Sequence, residues 1–420
     1  MKNETPVLVL NCGLGGLAIF RSLGALGVEC WGVDADPRCA GFLSRYSLGR
    51  RFLATYDPDR EEEYLESVLD VGRKIGREAL LIPTSDELIP FAARYQDQLE
   101  EYFIYPRKAP DLMARLVDKV EMSRLAEEFG IPVPQTYLPR DEEDLLQAIE
   151  RFQFPVMLKP CRSGTSGDQL MVIVKDLEQL VKEYRERETP EAPNMMIQEY
   201  LPGEDDQVYI FNGYFDRQSR CLAGFTGRKI RQHPIHRGCA AMGEQLSNQP
   251  VAEHMTRLLE GLGYQGVVDA GLRFDARDGK YKLLDVNPRV GHAFRLFLSD
   301  DGTDVVRAMY LDLTGQPVGE LVPREGRRWA IEDFELESLI DYWREGSWPL
   351  RKWLASYRGV EELAWWSLRD PWPFAVMVQR LLARASRYIL TRIGFQTRRL
   401  LGRGASGTNS PTPEARRREW

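Results

Sequence analysis

In the stretch LLDVNPRVGHAF, residues 283–294, a carboxylate, a carboxamide and a guanidinium recur at alternate positions as Asp285, Asn287 and Arg289. Alternate side chains of an extended strand share a face, so these three project together, whereas Leu283, Leu284 and Val286 demand an apolar interior. Buried charge has to be paired with another charge, a metal or a ligand. A carboxylate and an amide oxygen suit Mg²⁺, whose coordination is completed by water and phosphate oxygens, and an adjacent arginine suits a phosphoryl group.

Other segments carry chemistry that complements this one. Lys159 ends the apolar run FPVMLKP, and in CRSGTSGDQ, which follows, Arg162, Ser163 and Gly164 suit a loop closing backbone N–H groups over phosphates. IQEYLPGEDDQVY ends a run with Glu199, Tyr200 and Leu201, turns at Pro202-Gly203 and offers Asp206 seven residues after Glu199. A strand edge of this kind pairs an adenine while acids hold the amino group and the ribose. TGRKIRQHPIHRG concentrates Arg228, Lys229, Arg231, His233, His236 and Arg237, which reads either as anion recognition or as a solvated edge strand that resists aggregation. His292, three residues after Arg289, either contacts a substrate or caps a loop.

A competing nucleotide signal lies near the start. VLVLNCGLGGLAIFRSLGALGVECWGVDAD places Gly13-x-Gly15-x-x-Ala18 between a predicted strand and helix, with Asp34 ending the next strand. Such a turn brings a phosphate to a helix N-terminus while the acid takes a ribose hydroxyl, as in an NAD-dependent dehydrogenase. The first strand-turn-helix of any parallel sheet also favours glycines there, so the motif fits a binding site and plain architecture alike.

Elements that position these groups can be read from the hydrophobic periods. The first hundred residues alternate strand and helix, PVLVLNC, a helix over 17–26, VECWGVD, a helix over 60–74, then ALLIPTSD, which predicts a parallel sheet with crossover helices. VDKVEMSRLAEEFG predicts a helix closed by Gly130, and a domain boundary falls near residue 112. From Phe152 the strands lengthen and predict a mainly antiparallel sheet with a hairpin at Arg277-Asp278-Gly279. The resulting domains are 1–112, 113–315, an accessory region 316–375, and 376–420 as a basic amphipathic helix with a disordered tail.

Composition narrows the classes. The chain has 420 residues, 43% hydrophobic, and can bury a sizeable core. Its six cysteines form no CxxC pair and no apolar run reaches transmembrane length, so a cytoplasmic protein without a disulfide framework is expected. Residues 371–403 hold seven arginines and no acid, and 404–420 add one net positive charge, so the overall −7 leaves −15 on residues 1–370. An acidic body argues against nucleic acid as a partner, because that affinity comes from neutralising phosphates. The basic C-terminal helix fits either peripheral contact with an anionic membrane or docking on an acidic surface, including that of a second copy in a homodimer.

Taken in order, Lys119, Lys159, the small-residue loop, QEYLPGED and DVNPR resemble the ATP-grasp superfamily, and within it the carboxylate-amine ligases related to D-aspartate ligase and to the synthetase domains of carbamoyl phosphate synthase. The likeness covers residues 6–315 and rests also on IPTSDE and DKVEMSRLAEEFGIPVP. It implies an α/β (α+β) ATP-grasp fold with a Rossmann-like N-terminal (preATP-grasp) domain that binds no NAD, and an accessory helical C-terminus. It implies ATP and Mg²⁺, or Mn²⁺, as cofactors, and small-molecule carboxylate and amine substrates joined through an acyl phosphate.

By position, the resemblance implies phosphate binding by Lys119 and Lys159, aided by Arg162, Ser163 and Gly164. It implies adenine binding by Glu199, Tyr200 and Leu201, ribose binding by Asp206, metal binding by Asp285 and Asn287, and a catalytic set of Arg289, Lys159 and Arg231. Two positions depart from the family. Asp285 stands where a glutamate is usual, and Gly271 stands where a second acidic metal ligand is due. Asp269, two residues before Gly271 on the same strand face, is the candidate replacement. Without a working substitute the chain would be an ATP-binding pseudoenzyme or regulator.

Overall fold

The computed structural model describes residues 2–47, 50–107, 109–162, 171–189 and 193–401, the last fifteen of these as backbone alone. Three sheets organise it. The first comprises β1 (Val7–Leu10), β2 (Cys30–Asp34), β3 (Arg51–Leu53), β4 (Ala79–Pro83) and β5 (Phe103–Ile104), ordered β3-β2-β1-β4-β5 with parallel pairing throughout. Every residue of β1 is buried, as a central parallel strand covered on both faces requires. The crossover helices are Leu14–Gly24 and Glu61–Ile75, the second closed by Gly76 in the left-handed conformation, which costs glycine little.

The second sheet is antiparallel, with β6 (Thr136–Tyr137), β7 (Val156–Pro160), β8 (Val172–Val174) and β9 (Met195–Glu199) in the order β6-β9-β7-β8. Its inward residues Val156, Leu158 and Ile197 pack on Leu145, Ile149 and Leu180 from the helices Glu142–Ile149 and Leu177–Arg187.

The third and largest sheet contains β10 (Val208–Phe215), β11 (Cys221–His233), β12 (Cys239–Gln245), β13 (Gly266–Asp275), β14 (Lys280–Asn287), β15 (Arg328–Ala330) and β16 (Val360–Leu363), ordered β14-β13-β10-β11-β12-β15-β16. The hairpin predicted at Arg277-Asp278-Gly279 joins β13 to β14, with Gly279 at φ 70°. Alternation divides the two faces. Phe211, Phe215, Val268, Ala270, Leu272 and Val286 enter one core with Met255 and Leu258 of the helix Gln249–Gly261, which leaves Asn212, Asp269, Gly271, Asp285 and Asn287 for the other face.

Met113 and Leu116 of the helix Pro110–Val117 belong to the core of the third sheet. The C-terminal region expected as a helical accessory contributes strands as well. β15 pairs with β12, and β16 pairs with β15, because the apolar Trp329 and Ala330 complete an edge that β12 would otherwise expose. Arg21 then ties residues 364–370 to the first domain through the Ala364 and Trp365 carbonyls and Asp370.

The chain divides into two compact units, Met1–Pro373 and Phe374–Trp420. Among its described residues the second is the continuation of one helix, Trp372–Leu401. No helix among the described residues is long and apolar enough to cross a membrane, and all six cysteines are free thiols.

Candidate nucleotide and phosphoryl-transfer site

One strand and one helix bring the predicted phosphate-binding groups together. Lys159 is buried near the end of β7, and two residues on the Cys161 carbonyl accepts the Lys119 N–H at 2.9 Å. Lys119 opens the helix Lys119–Glu128, whose N-terminus is capped by Asp118 accepting from Val120 at 3.0 Å and from Glu121 at 3.2 Å. The free oxygen of Asp118 takes Arg162 Nε at 3.0 Å. Capping and strand pairing therefore bring Lys119, Lys159 and Arg162 to one place, although they are spread over more than forty residues. Ser163 and Gly164 lie outside the described residues.

At the predicted adenine end, Leu201 is buried and Tyr200 half-buried, while Asp206 projects from a 3₁₀ turn with Arg228 3.8 Å away. Glu199 is already engaged. It accepts from Arg277 at 2.5 Å, from Lys282 at 3.5 Å and from the Gln135 N–H at 3.2 Å. Both cations also hold Asp275, whose carboxyl lies well below the usual carboxylate range because Arg277, Lys282 and the Arg277 N–H all donate to it.

The metal-binding candidates form a row across three strands. Asn212 of β10 lies opposite Asp269 of β13, which lies opposite Asn287 of β14; one step along, Gly271 lies opposite Asp285. Directly opposed residues in antiparallel strands project to the same side, so Asp269, Asp285 and Asn287 converge. Asn287 donates its amide to Asp285 at 3.1 Å. Burial pushes the Asp269 carboxyl up to about 6, with nearby Arg289 opposing and Asp285 reinforcing the shift. No trio of His, Cys, Asp or Glu side chains able to hold a metal occurs among the described residues. A cation here would draw on two carboxylates, the Asn287 amide oxygen and the oxygens of a bound phosphate, a donor set that suits Mg²⁺.

Arg289 reaches from the end of β14 toward the first domain, where Asp86 of the IPTSDE loop receives Nε at 2.5 Å and Nη2 at 3.3 Å. A cleft of about 310 Å³ opens there between Asn11, Gly13, Gly15, Thr84, Asp86 and Arg289, with His292 also lining it. Burial and the charges of Arg289 and Lys229 push His292 down to about 4, so it stands neutral. Asp86 was absent from the sequence-based set; its place in the quoted IPTSDE was the only available signal.

Two expectations change. Asp34, the acid of the glycine fingerprint, accepts the Cys12 N–H at 2.6 Å and the Asp36 N–H at 2.8 Å, so both oxygens serve the chain's own backbone. Arg231, expected among the catalytic groups, is a buried structural cation. Its Nε donates to Glu335 at 2.9 and 3.0 Å, its Nη1 to Ser356 at 2.8 Å, and its guanidinium lies over the Trp348 ring at 4.6 Å. Its side chain is 0% exposed, since desolvation forces such a charge to spend its donors inside the protein.

No family model matches the chain. D-aspartate ligase of Enterococcus faecium (strain Aus0004) is 26% identical over 268 residues, covering 59% of this chain and 63% of that ligase, so the match spans less than two thirds of the relative's length. N5-carboxyaminoimidazole synthetase from Staphylococcus aureus, solved with ADP, superposes with a TM-score of 0.61 at 14% identity, covering 78% of this chain and 82% of that one. The biotin carboxylase domain dimer of Hydrogenobacter thermophilus 2-oxoglutarate carboxylase, solved with MgADP, ADP and bicarbonate, superposes with a TM-score of 0.60 at 16% identity, covering 78% and 74%. The chain has the ATP-grasp fold that these structures share, and in sequence it is similar to D-aspartate ligase.

Proposed function

We propose that the protein is an ATP-dependent carboxylate-amine ligase: it phosphorylates a carboxylate from ATP, and an amine then displaces the phosphate to give an amide or peptide bond, ADP and phosphate. The observation that carries this reading is the convergence of Asp269, Asp285 and Asn287 on one sheet face beside Arg289. The D-aspartate ligase relative and the ADP-bound structural neighbours support it.

The chemistry needs no enzyme nucleophile. It needs charge neutralisation, alignment and exclusion of water, since an acyl phosphate hydrolyses readily. Lys119 and Lys159 hold the triphosphate, and Asp206 and the Glu199–Leu201 segment hold the nucleoside. Arg289 exchanges Asp86 for the transferring phosphoryl oxygens. Asp285, Asn287 and Asp269 would hold Mg²⁺, which would supply charge neutralisation on the phosphates. A second reading, a nucleotide-binding regulator with weak turnover, is favoured by one observation: glycine at 271 leaves the metal face one carboxylate short.

Thermal unfolding separates these from a dehydrogenase. MgATP at a hundredfold excess over Kd is expected to stabilise the protein by about 2.7 kcal/mol, and NAD is expected to do nothing. Stabilisation by NAD alone overturns the reading. ADP release with pooled carboxylates and amines then separates ligase from regulator.

A further inference from the structure

The turn that follows β9 is held from β13 and from the helix Glu332–Glu345. Arg273 donates to the Gly203 carbonyl and, at 3.4 Å, to that of Glu204. The next residue, Asp205, is buried, and its carboxylate takes Gln232 Nε2 at 2.8 Å, the His236 ring at 3.1 Å and the Tyr342 hydroxyl. Tyr342 is itself 1% exposed and lies on the helix Glu332–Glu345, well over a hundred residues along the chain. Its oxygen also accepts the Gln232 N–H at 2.9 Å. Glu345, the last residue of that helix, holds the other ring nitrogen of His236 at 2.8 Å.

A buried carboxylate with three donors has a single low-energy orientation. Asp205 and Asp206 are consecutive in the 3₁₀ turn Asp205–Gln207, so anchoring the first orients the second. Asp206 is left projecting, its side chain 55% exposed.

We propose that Tyr342 is a positioning residue for nucleotide binding: by fixing Asp205 it presets Asp206 for the ribose hydroxyls of a nucleoside triphosphate. The C-terminal helix Glu332–Glu345 is thereby part of the nucleotide site's support and not an accessory to it. This rests on the ATP reading. Preorganisation of this kind raises affinity by removing the cost of ordering the turn upon binding.

Calorimetric titration of the full chain with MgATP and with the magnesium salt of 2′,3′-dideoxy-ATP tests it. Wild type is expected to prefer ATP. Tyr342→Phe removes one hydrogen bond to a buried charge and is expected to weaken ATP roughly tenfold while leaving the dideoxy nucleotide unchanged, so the preference collapses. An unchanged preference, or equal weakening of both ligands, overturns the inference, since a general loss of structure moves both together. Wild type that binds both nucleotides equally overturns it while leaving the ATP reading intact; wild type that binds neither overturns both. Should Tyr342→Phe fail to fold, Glu345→Gln loosens the same assembly through His236 from a more exposed position, and a smaller loss of the same preference is expected.

Discussion

The carboxylate of Asp285 occupies the space directly above Gly271, its partner across β13 and β14, closer to the position of a Cβ on residue 271 than van der Waals contact allows. Gly291 makes room for Asp269 in the same way. Glycine at 271 therefore does more than omit a ligand: it leaves room over β13 for the Asp285 carboxylate, whose other oxygen takes the Asn287 amide of its own strand.

Gly271→Ala and Gly271→Glu separate these effects. Alanine displaces Asp285 and adds no ligand, so a weaker Mg²⁺ dependence of ATPase activity is expected. Glutamate displaces it too but supplies a carboxylate on the same face, and tighter Mg²⁺ dependence or faster turnover than Gly271→Ala is expected. Asp285→Asn is expected to cost more than the roughly 10–100-fold that losing an outer partner of a metal ligand costs, and Asp269→Asn a smaller but substantial part of activity. Full activity in Asp285→Asn would falsify the assignment of the metal face.

Lys159 is tested by charge. Lys159→Ala is expected to weaken ATP binding about tenfold or more, the scale of a hydrogen bond between charged groups, and Lys159→Arg much less. Wild-type affinity in both, measured by calorimetry, would show that the buried lysine serves only the end of β7.

His236 makes stability depend on pH. Hydrogen bonds to Asp205 outweigh its partial burial, and with Glu345 they raise its pKa to about 9. A histidine whose folded pKa exceeds its unfolded value near 6.5 stabilises fully below that unfolded value and progressively less as pH rises toward 9. His236→Gln is thus expected to lower the melting temperature at pH 6, with the gap to wild type shrinking between about pH 6.5 and 9. A constant gap across that range rules out a charged His236.

Deleting residues 376–420 is expected to leave MgATP affinity unchanged, because every group assigned to the nucleotide, and Tyr342 behind Asp205, lies before residue 376. Sedimentation of the full chain with anionic vesicles then distinguishes the two readings of the arginine-rich segment: salt-sensitive binding supports a membrane surface, and its absence supports docking on protein.

Local pattern was enough to read the strand alternation of Asp285 and Asn287, the buried β1, the hairpin at Gly279 and the helix ending before Gly130, because backbone geometry alone sets which neighbours share a face and where a chain turns; Arg289 lies past the end of β14. Charge partners were not legible in that way. Arg231 and Asp34 have the residue types of active groups, yet Glu335 neutralises the first and the chain's own N–H groups satisfy the second. Glu199 meets Arg277 and Lys282, Arg289 meets Asp86, and Asp205 meets Tyr342, across separations of 78, 83, 203 and 137 residues. A charge takes a partner according to what packing leaves within reach once water is excluded, and that desolvation exists only when distant segments have closed over it.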